Sequence, residues 1–283
     1  MLEVARRRRL SLEGKSIGVI GAGNVGGRVA RKCEALGMQA LRNDPPLQRK
    51  TGDSKYVPLD ALYECDFITI HTPLTKEGID KTFHLADAGF LSRLKPGVVF
   101  VNASRGAVVD SEALKAAIRA DRLQAVVLDV WEGEPNIDVE LLERVDLATP
   151  HIAGYSFDGK VAGMIMIYRS LCEHFHLKPK FDVKDFLPVP EVPRLEIATD
   201  DASDEELLAR TAERIYSIAR DDRDTRKISD QPPEARGRFF DALRKNYPVR
   251  REFQNTMVAL DRPRTSLAKK LRGIDFMVEG TGL

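Results

Sequence analysis

The 283 residues carry 44 lysines and arginines against 43 aspartates and glutamates, a formal net charge of +1. With 31% charged and 43% hydrophobic residues, the composition is that of an ordinary globular chain with enough apolar material for a sizeable core. This balance excludes bulk electrostatic attraction to nucleic acid or an anionic membrane, and no apolar run reaches membrane-spanning length.

The start, "MLEVARRRRLSLEG", has a basic cluster, Arg6 to Arg9, with no long apolar stretch after it. It reads as a solvated helix face and not as a signal peptide. From Lys15 to His151 short apolar runs alternate with helical periodicity. "SIGVI" (16–20) predicts a buried strand, and "NVGGRVARKCEAL" (24–36) a helix stopped by Gly37. "MQALRND" (38–44) is a second strand, "LDALYEC" (59–65) a short helix and "FITIHTP" (67–73) a third strand. A helix at 85–94, a strand at 97–103, a helix over 111–120 capped by Asp110, a strand at 124–130 and a short helix at 139–145 follow. "DLATP" then leads to His151. Apolar strands alternating with helices predict an α/β fold, a Rossmann-type doubly wound parallel sheet.

A long helix is expected from Asp158 to His176. Beyond it, "KPKFDVKDFLPVPEVPRLEI" concentrates Pro179, Pro188, Pro190 and Pro193, four of the fifteen prolines, which places a linker there. Strand signals at 194–198, 255–260 and 275–280 and helices at 204–221 and 265–273 predict a small second α/β domain. The expected divisions are 1–13, the end of a linking helix; 14–157, the nucleotide-binding domain; 158–187, helix and proline-rich linker; and 188–283, the C-terminal domain. The three cysteines, Cys33, Cys65 and Cys172, are odd in number and widely spaced, with neither a disulfide nor a metal pattern. They point to a reducing, cytoplasmic setting and to no metal.

The chemistry gathers at strand ends. "GAGNVG" follows the first strand and opens the first helix, fitting G-x-G-x-x-G at Gly21, Gly23 and Gly26, with Asn24 and Val25 inside the loop. The first glycine permits the tight turn, the second lets backbone approach a pyrophosphate, and the third lets helix and strand pack closely. Asp44 ends the second strand, 18 residues after Gly26, where a carboxylate would bind a ribose 2′-hydroxyl and repel a 2′-phosphate. This favours NAD over NADP, with Arg42, Arg49 and Lys50 nearby. Three later strand ends supply Arg105 in "VNASRGAVVD", Asp129 and Glu134 in "LDVWEGEP", and His151 in "TPHIAGYS". Hydride removal from a 2-hydroxy acid needs a carboxylate clamp, a proton acceptor and a group that orients that acceptor; arginine, histidine and glutamate suit these jobs. Taken singly, a surface arginine, a loop carboxylate and a capped core histidine are the commoner readings. Three at consecutive strand ends behind a dinucleotide loop outweigh them. His71 and His84 show no partner in the sequence, and Trp131 reads as packing beneath the site.

Together "GxGxxG", "HTPLT", "NASRGAVVD", "LDVWEGEP" and "TPHIAGY" resemble the D-isomer-specific 2-hydroxyacid dehydrogenase family. The resemblance implies that Arg105 contacts the substrate carboxylate and carbonyl, that His151 is the acid/base and that Glu134 is its partner. It also places Asp129 and Gly154 near the nicotinamide, Thr72 near the adenosine side and Asp44 on the ribose, and makes Tyr155 a substrate contact. "WEGEP", "PHIAGYS" and "LRKNYPVRREF" resemble the branch of the family that oxidises a phosphorylated 2-hydroxy acid and forms a homodimer through an extra C-terminal domain. The family carries a substrate lobe ahead of the nucleotide domain, so the sequence reads as N-terminally truncated and complete at its C-terminus. Arg244, Lys245, Arg250 and Arg251 are candidates for a substrate phosphate, against the commoner reading of a solvated or interface face. The competing functions are a dehydrogenase for another 2-hydroxy acid of the glycerate or phosphoglycerate type, and a non-catalytic NAD-binding dimer. A pure binder has no use for the arginine, glutamate and histidine set.

Overall fold

In the computed structural model, which describes residues 1–279, the short apolar runs near the N-terminus become parallel strands. Helix α1 (Leu2–Arg8) leads into β1 (Ser16–Ile20), α2 (Asn24–Ala35), β2 (Gln39–Asn43) and α3 (Pro45–Thr51). Then come β3 (Phe67–Ile70), α4 (Ala88–Arg93), β4 (Val98–Asn102), α5 (Ser111–Arg119), β5 (Leu123–Leu128), α6 (Val139–Arg144) and β6 (Leu147–Ala148). The sheet order is β2-β1-β3-β4-β5-β6, parallel throughout. Successive connections leave β1 in opposite directions, so the crevice at its C-terminal end is the topological switch point where such sheets bind ligands. Every residue of β3 is buried, as expected of a strand covered by helices on both faces. Phe67, Phe90, Phe100, Ile68 and Ile70 are among the largest fully buried side chains of this core.

Local sequence accounts for several boundaries. The Asp110 carboxylate accepts the N–H groups of Glu112 and Ala113 and starts α5; Asp138 accepts from Leu141 and starts α6. The segment expected as a helix at 59–65 closes only one 3-10 turn, Leu59–Leu62. Helix α3, absent from the periodicity reading, is short and carries no buried residue. Its start is nonetheless encoded: Asp44 accepts the N–H of Leu47, and Pro45 and Pro46 occupy the first helical positions.

The chain then forms α7 (Phe157–His174), β7 (Arg194–Ile197), α8 (Asp204–Ile215), α9 (Ile218–Arg226), α10 (Pro233–Lys245), β8 (Met257–Leu260), α11 (Thr265–Gly273) and β9 (Met277–Val278). Two compact units result: Met1–His151 with Ile218–Lys245, and Ile152–Ser217 with the chain from Asn246 onward. The second has its own parallel sheet, ordered β7-β8-β9. Its Arg251 pairs with Asp158 at 2.9 Å, and Asp158 also accepts from Asn255 and from the backbone of Glu252.

The helix expected over 204–221 is two helices. Tyr216 is extended between them, because α8 packs on α11 in the second unit while α9 belongs to the first. Asp222 of α9 accepts the N–H of Ala148 on the edge strand β6 at 3.0 Å and pairs with Arg7 and Arg226. Arg226 in turn donates to the carbonyls of Leu142 and Val145. Phe240 of α10 is fully buried in the core of the first unit. The segment 218–245 therefore covers a sheet edge that would otherwise be open.

Candidate active site

The glycine loop lies between β1 and α2. Gly21 has φ of +83°, and a Cβ there would lie 2.8 Å from the backbone of His71. A Cβ on Gly26 would lie 1.9 Å from the carbonyl oxygen of Gly21. Gly23 differs, since a Cβ there would meet nothing within 4 Å. The first and third glycines are thus required by the fold, whereas the second keeps space open in front of the helix. Gly23 is also the N-cap of α2 and offers no side-chain cap, so the first N–H groups of a twelve-residue helix face that space. Asn24 and Val25 begin the helix, and Val25 is 61% exposed although apolar.

Asp44 stands beside this loop. One carboxylate oxygen accepts the N–H of Ala22 at 2.9 Å, and the other caps α3. Each carboxylate oxygen has a further lone pair, so Asp44 can still accept from a ligand hydroxyl. After β3, the hydroxyl of Thr72 and Nδ1 of His71 are buried without a hydrogen-bond partner. The His71 Nε2 meets the hydroxyl of Thr69 at 2.9 Å, and burial lowers its imidazole pKa to about 4. An open glycine, uncapped helix N–H groups, an exposed valine and an orphaned hydroxyl fit a phosphate-bearing ligand such as a dinucleotide.

The catalytic candidates stand at the ends of β4, β5 and β6. Buried Asn102 shapes the turn after β4: its side-chain oxygen accepts from Ser104, and its amide donates to the carbonyl of Arg105 at 3.1 Å. Arg105 is exposed, and its guanidinium donates to the Ser104 carbonyl at 2.7 Å. The next residue, Gly106, is pressed against the β5 loop; a Cβ there would lie 2.0 Å from the backbone of Trp131. Asp129 is buried and accepts from the hydroxyl of Thr149 at 2.6 Å, while its carbonyl accepts the N–H of His151 at 2.6 Å. Trp131, 3% exposed, donates its indole N–H to the carbonyl of Thr149. Its burial agrees with the packing role expected from the sequence.

Glu134 and His151 meet directly. Nδ1 of His151 lies 2.8 Å from one Glu134 oxygen, and the other oxygen accepts the N–H of Trp131 at 2.8 Å. His151 has φ of +56°, a left-handed conformation unusual for a side-chain-bearing residue. Its side chain is 29% exposed. With Nδ1 engaged, Nε2 is the atom available for proton exchange. A carboxylate on Nδ1 fixes the tautomer and the orientation of the ring.

Gly154 and Tyr155 lie in the second unit. Gly154 has open space where a Cβ would be, and Tyr155 meets the Tyr247 ring edge-on at 5.8 Å. Lys160 sits 3.9 Å from the centre of the Tyr155 ring. The basic segment is divided. Arg244 and Lys245 end α10 in the first unit; Arg250 and Arg251 are in the second. Arg250 donates to the carbonyls of Ile152 and Ala153 and packs on Tyr216; Arg251 is committed to Asp158 and Asn255. Both guanidinium groups therefore brace other segments of the second unit. Sequence reading missed Asn102, Thr149 and Gly106, and it gave His84 no partner. His84 Nε2 lies 2.6 Å from a Glu132 oxygen. The available signals were a polar residue closing an apolar strand at "FVNAS" and two glutamates flanking Gly133 in "WEGEP".

Among the described residues no group of side chains is arranged to hold a metal, and no helix is long and apolar enough to cross a membrane. The family model "D-isomer specific 2-hydroxyacid dehydrogenase, NAD binding domain" matches residues 3–153, and a domain of unknown function, DUF3410, matches 186–274. The chain is 45% identical over 266 residues to the erythronate-4-phosphate dehydrogenase of Salinibacter ruber, covering 91% of this chain and 68% of that one. It is 42% identical over 262 residues to the enzyme of that name from Salmonella paratyphi A, covering 92% and 68%. Among solved structures it is similar to an NAD-dependent formate dehydrogenase from Staphylococcus aureus in complex with NAD. That match has a TM-score of 0.51 and 29% identity, covering 65% of this chain and 55% of that one. A glyoxylate reductase from Paecilomyes thermophila matches with a TM-score of 0.50 and 29% identity, over 60% and 54%. The glycine loop, the parallel sheet and the matched domain make residues 3–153 an NAD-binding domain. The chain belongs to the D-isomer-specific 2-hydroxyacid dehydrogenase family.

Proposed function

We infer that the protein oxidises 4-phospho-D-erythronate at C2, with NAD as acceptor, to 3-hydroxy-2-oxo-4-phosphooxybutanoate, a step toward pyridoxal 5′-phosphate. The observation that carries this reading is the 2.8 Å contact between Glu134 and His151, at the strand ends of a domain built to hold NAD. The relatives named for erythronate-4-phosphate supply the substrate.

In this reading the Arg105 guanidinium holds the substrate carboxylate and stabilises the developing carbonyl oxygen, since its planar fork matches both. Nε2 of His151 takes the C2 hydroxyl proton as hydride leaves the same carbon. Glu134 stabilises the imidazolium that results. Bound NAD supplies the hydride acceptor. Gly21, Gly23, Asn24, Val25 and Gly26 form its phosphate cradle, and Asp44 holds the ribose. Thr72 lies on the adenosine side, Asp129 and Gly154 lie near the nicotinamide, and Tyr155 contacts the substrate. A cytosolic homodimer, joined through residues 188–283, belongs to the same reading. Three buried free thiols are consistent with a reducing compartment.

The test is NADH formation by the 283-residue chain from 4-phospho-D-erythronate and NAD, with D-glycerate and D-3-phosphoglycerate as competitors. Preferential turnover of 4-phospho-D-erythronate is expected. Preference for either competitor would overturn the substrate, and NADH binding without turnover of any of the three would overturn the catalytic reading.

A further inference from the structure

The Arg105 loop and the Glu134 loop belong to different strands, β4 and β5. A reaction that uses both needs them held in fixed register. The segment 84–86 runs beside the Arg105 loop: the N–H of His84 donates to the carbonyl of Ala107 at 2.9 Å, and that of Ala86 to Val108 at 3.0 Å. The N–H of Asp110 returns a bond to Ala86 at 3.1 Å. His84 is thus tied to the Arg105 side by its backbone. Its side chain goes the other way, with Nε2 lying 2.6 Å from one oxygen of Glu132, two residues before Glu134.

The second oxygen of Glu132 accepts the N–H of Ser111 at 3.2 Å, at the first residue of α5. One carboxylate therefore joins three segments: the loop after β3, the start of the helix after the Arg105 turn, and the loop that carries Glu134. The charged and titratable groups facing His84 are Glu132 and, at 3.9 Å, Asp110. His84 stacks on Phe83 at 4.0 Å and has φ of +51°, a conformation that surrounding contacts must hold. The backbone approach at Gly106 brings the two loops together; the His84–Glu132 bond fixes their alignment.

We propose that Glu132 and His84 are a positioning pair that sets the Arg105 turn in register with the Glu134–His151 dyad, coupling the substrate's carboxylate clamp to its proton acceptor. The proposal rests on the dehydrogenase reading for its kinetic test, and on geometry alone for its spectroscopic one. A misplacement of about 1 Å at a reacting centre can cost on the order of a hundredfold in rate.

The experiment compares the wild-type chain with Glu132→Ala, His84→Ala and His84→Gln. It measures kcat and KM for 4-phospho-D-erythronate, NADH affinity, and the proton resonance of His151 Nδ1–H. Glu132→Ala and His84→Ala should each lower kcat at least about tenfold and move the His151 resonance, with NADH affinity within about twofold of wild type. His84→Gln, whose amide can still donate to Glu132, should recover most of the rate. Wild-type kcat in Glu132→Ala would overturn the proposal, as would NADH affinity falling in step with kcat or no rescue by glutamine. If the wild-type chain turns over no substrate, the dehydrogenase reading fails separately. The resonance then decides the positioning role: movement in Glu132→Ala supports it and an unmoved signal rejects it.

Discussion

His151 shows how much a single side chain owes to its neighbours. Its backbone is fixed by the carbonyl of Asp129 and its ring by Glu134, so one nitrogen is left to exchange protons. Glu134→Gln keeps the shape of that contact and removes the charge that stabilises the imidazolium. A fall in kcat of about 10²–10⁴-fold with nearly unchanged NADH affinity is expected from steady-state kinetics and fluorescence titration. His71 gives a second prediction. Burial lowers its folded pKa to about 4, whereas an unfolded histidine titrates near about 6.5. Below the higher value the unfolded chain takes up a proton that the folded chain refuses. Stability is therefore fully present above about pH 6.5 and declines as pH falls toward about 4. Denaturant unfolding between pH 7 and 4.5 should show a smaller loss in His71→Gln than in wild type, and equal losses would contradict this account.

At the scale of elements, the three glycines of one motif do different work, and two substitutions separate them. Gly26→Ala forces a Cβ against the Gly21 carbonyl, a backbone atom that cannot move aside without parting strand from helix. It should destabilise the fold by more than the ~1–3 kcal/mol of ordinary overpacking. Gly23→Ala meets no protein atom, so its melting temperature should stay close to wild type while NADH affinity falls. A Gly23→Ala chain with unaltered NADH affinity would remove this loop from the cofactor site. The motif, the strand run "FITI" and the Asp110 cap were legible in the sequence because each acts locally. Less legible were features that depend on what lies across the fold. The break at Tyr216 arises because α8 and α9 pack into different units. The value of Asp222 lies in an edge strand 74 residues away in the chain, and that of Glu132 in His84, 48 residues away. Periodicity carries no trace of such pairings.

For the whole molecule, the parallel sheet followed from the alternation of apolar strands and helices, whereas its switch point came only with the strand order. The separate small sheet followed from strand signals beyond the proline-rich stretch. What composition could not give is the return of 218–245 to the first unit. Phe240, fully buried in the core of the first unit, and Gly237, packed against Asn136, assign α10 its place. The chain spans 68% of the length of the erythronate-4-phosphate dehydrogenases it matches, and its Arg105, Glu134 and His151 all lie within the first unit. The most direct test of the central claim is the initial rate of NADH formation from 4-phospho-D-erythronate by wild type and His151→Ala, with NADH affinity measured on the same samples. The account predicts turnover in wild type, a loss of about 10²–10⁴-fold in the variant, and NADH affinities that agree closely. Near wild-type turnover in His151→Ala would contradict it.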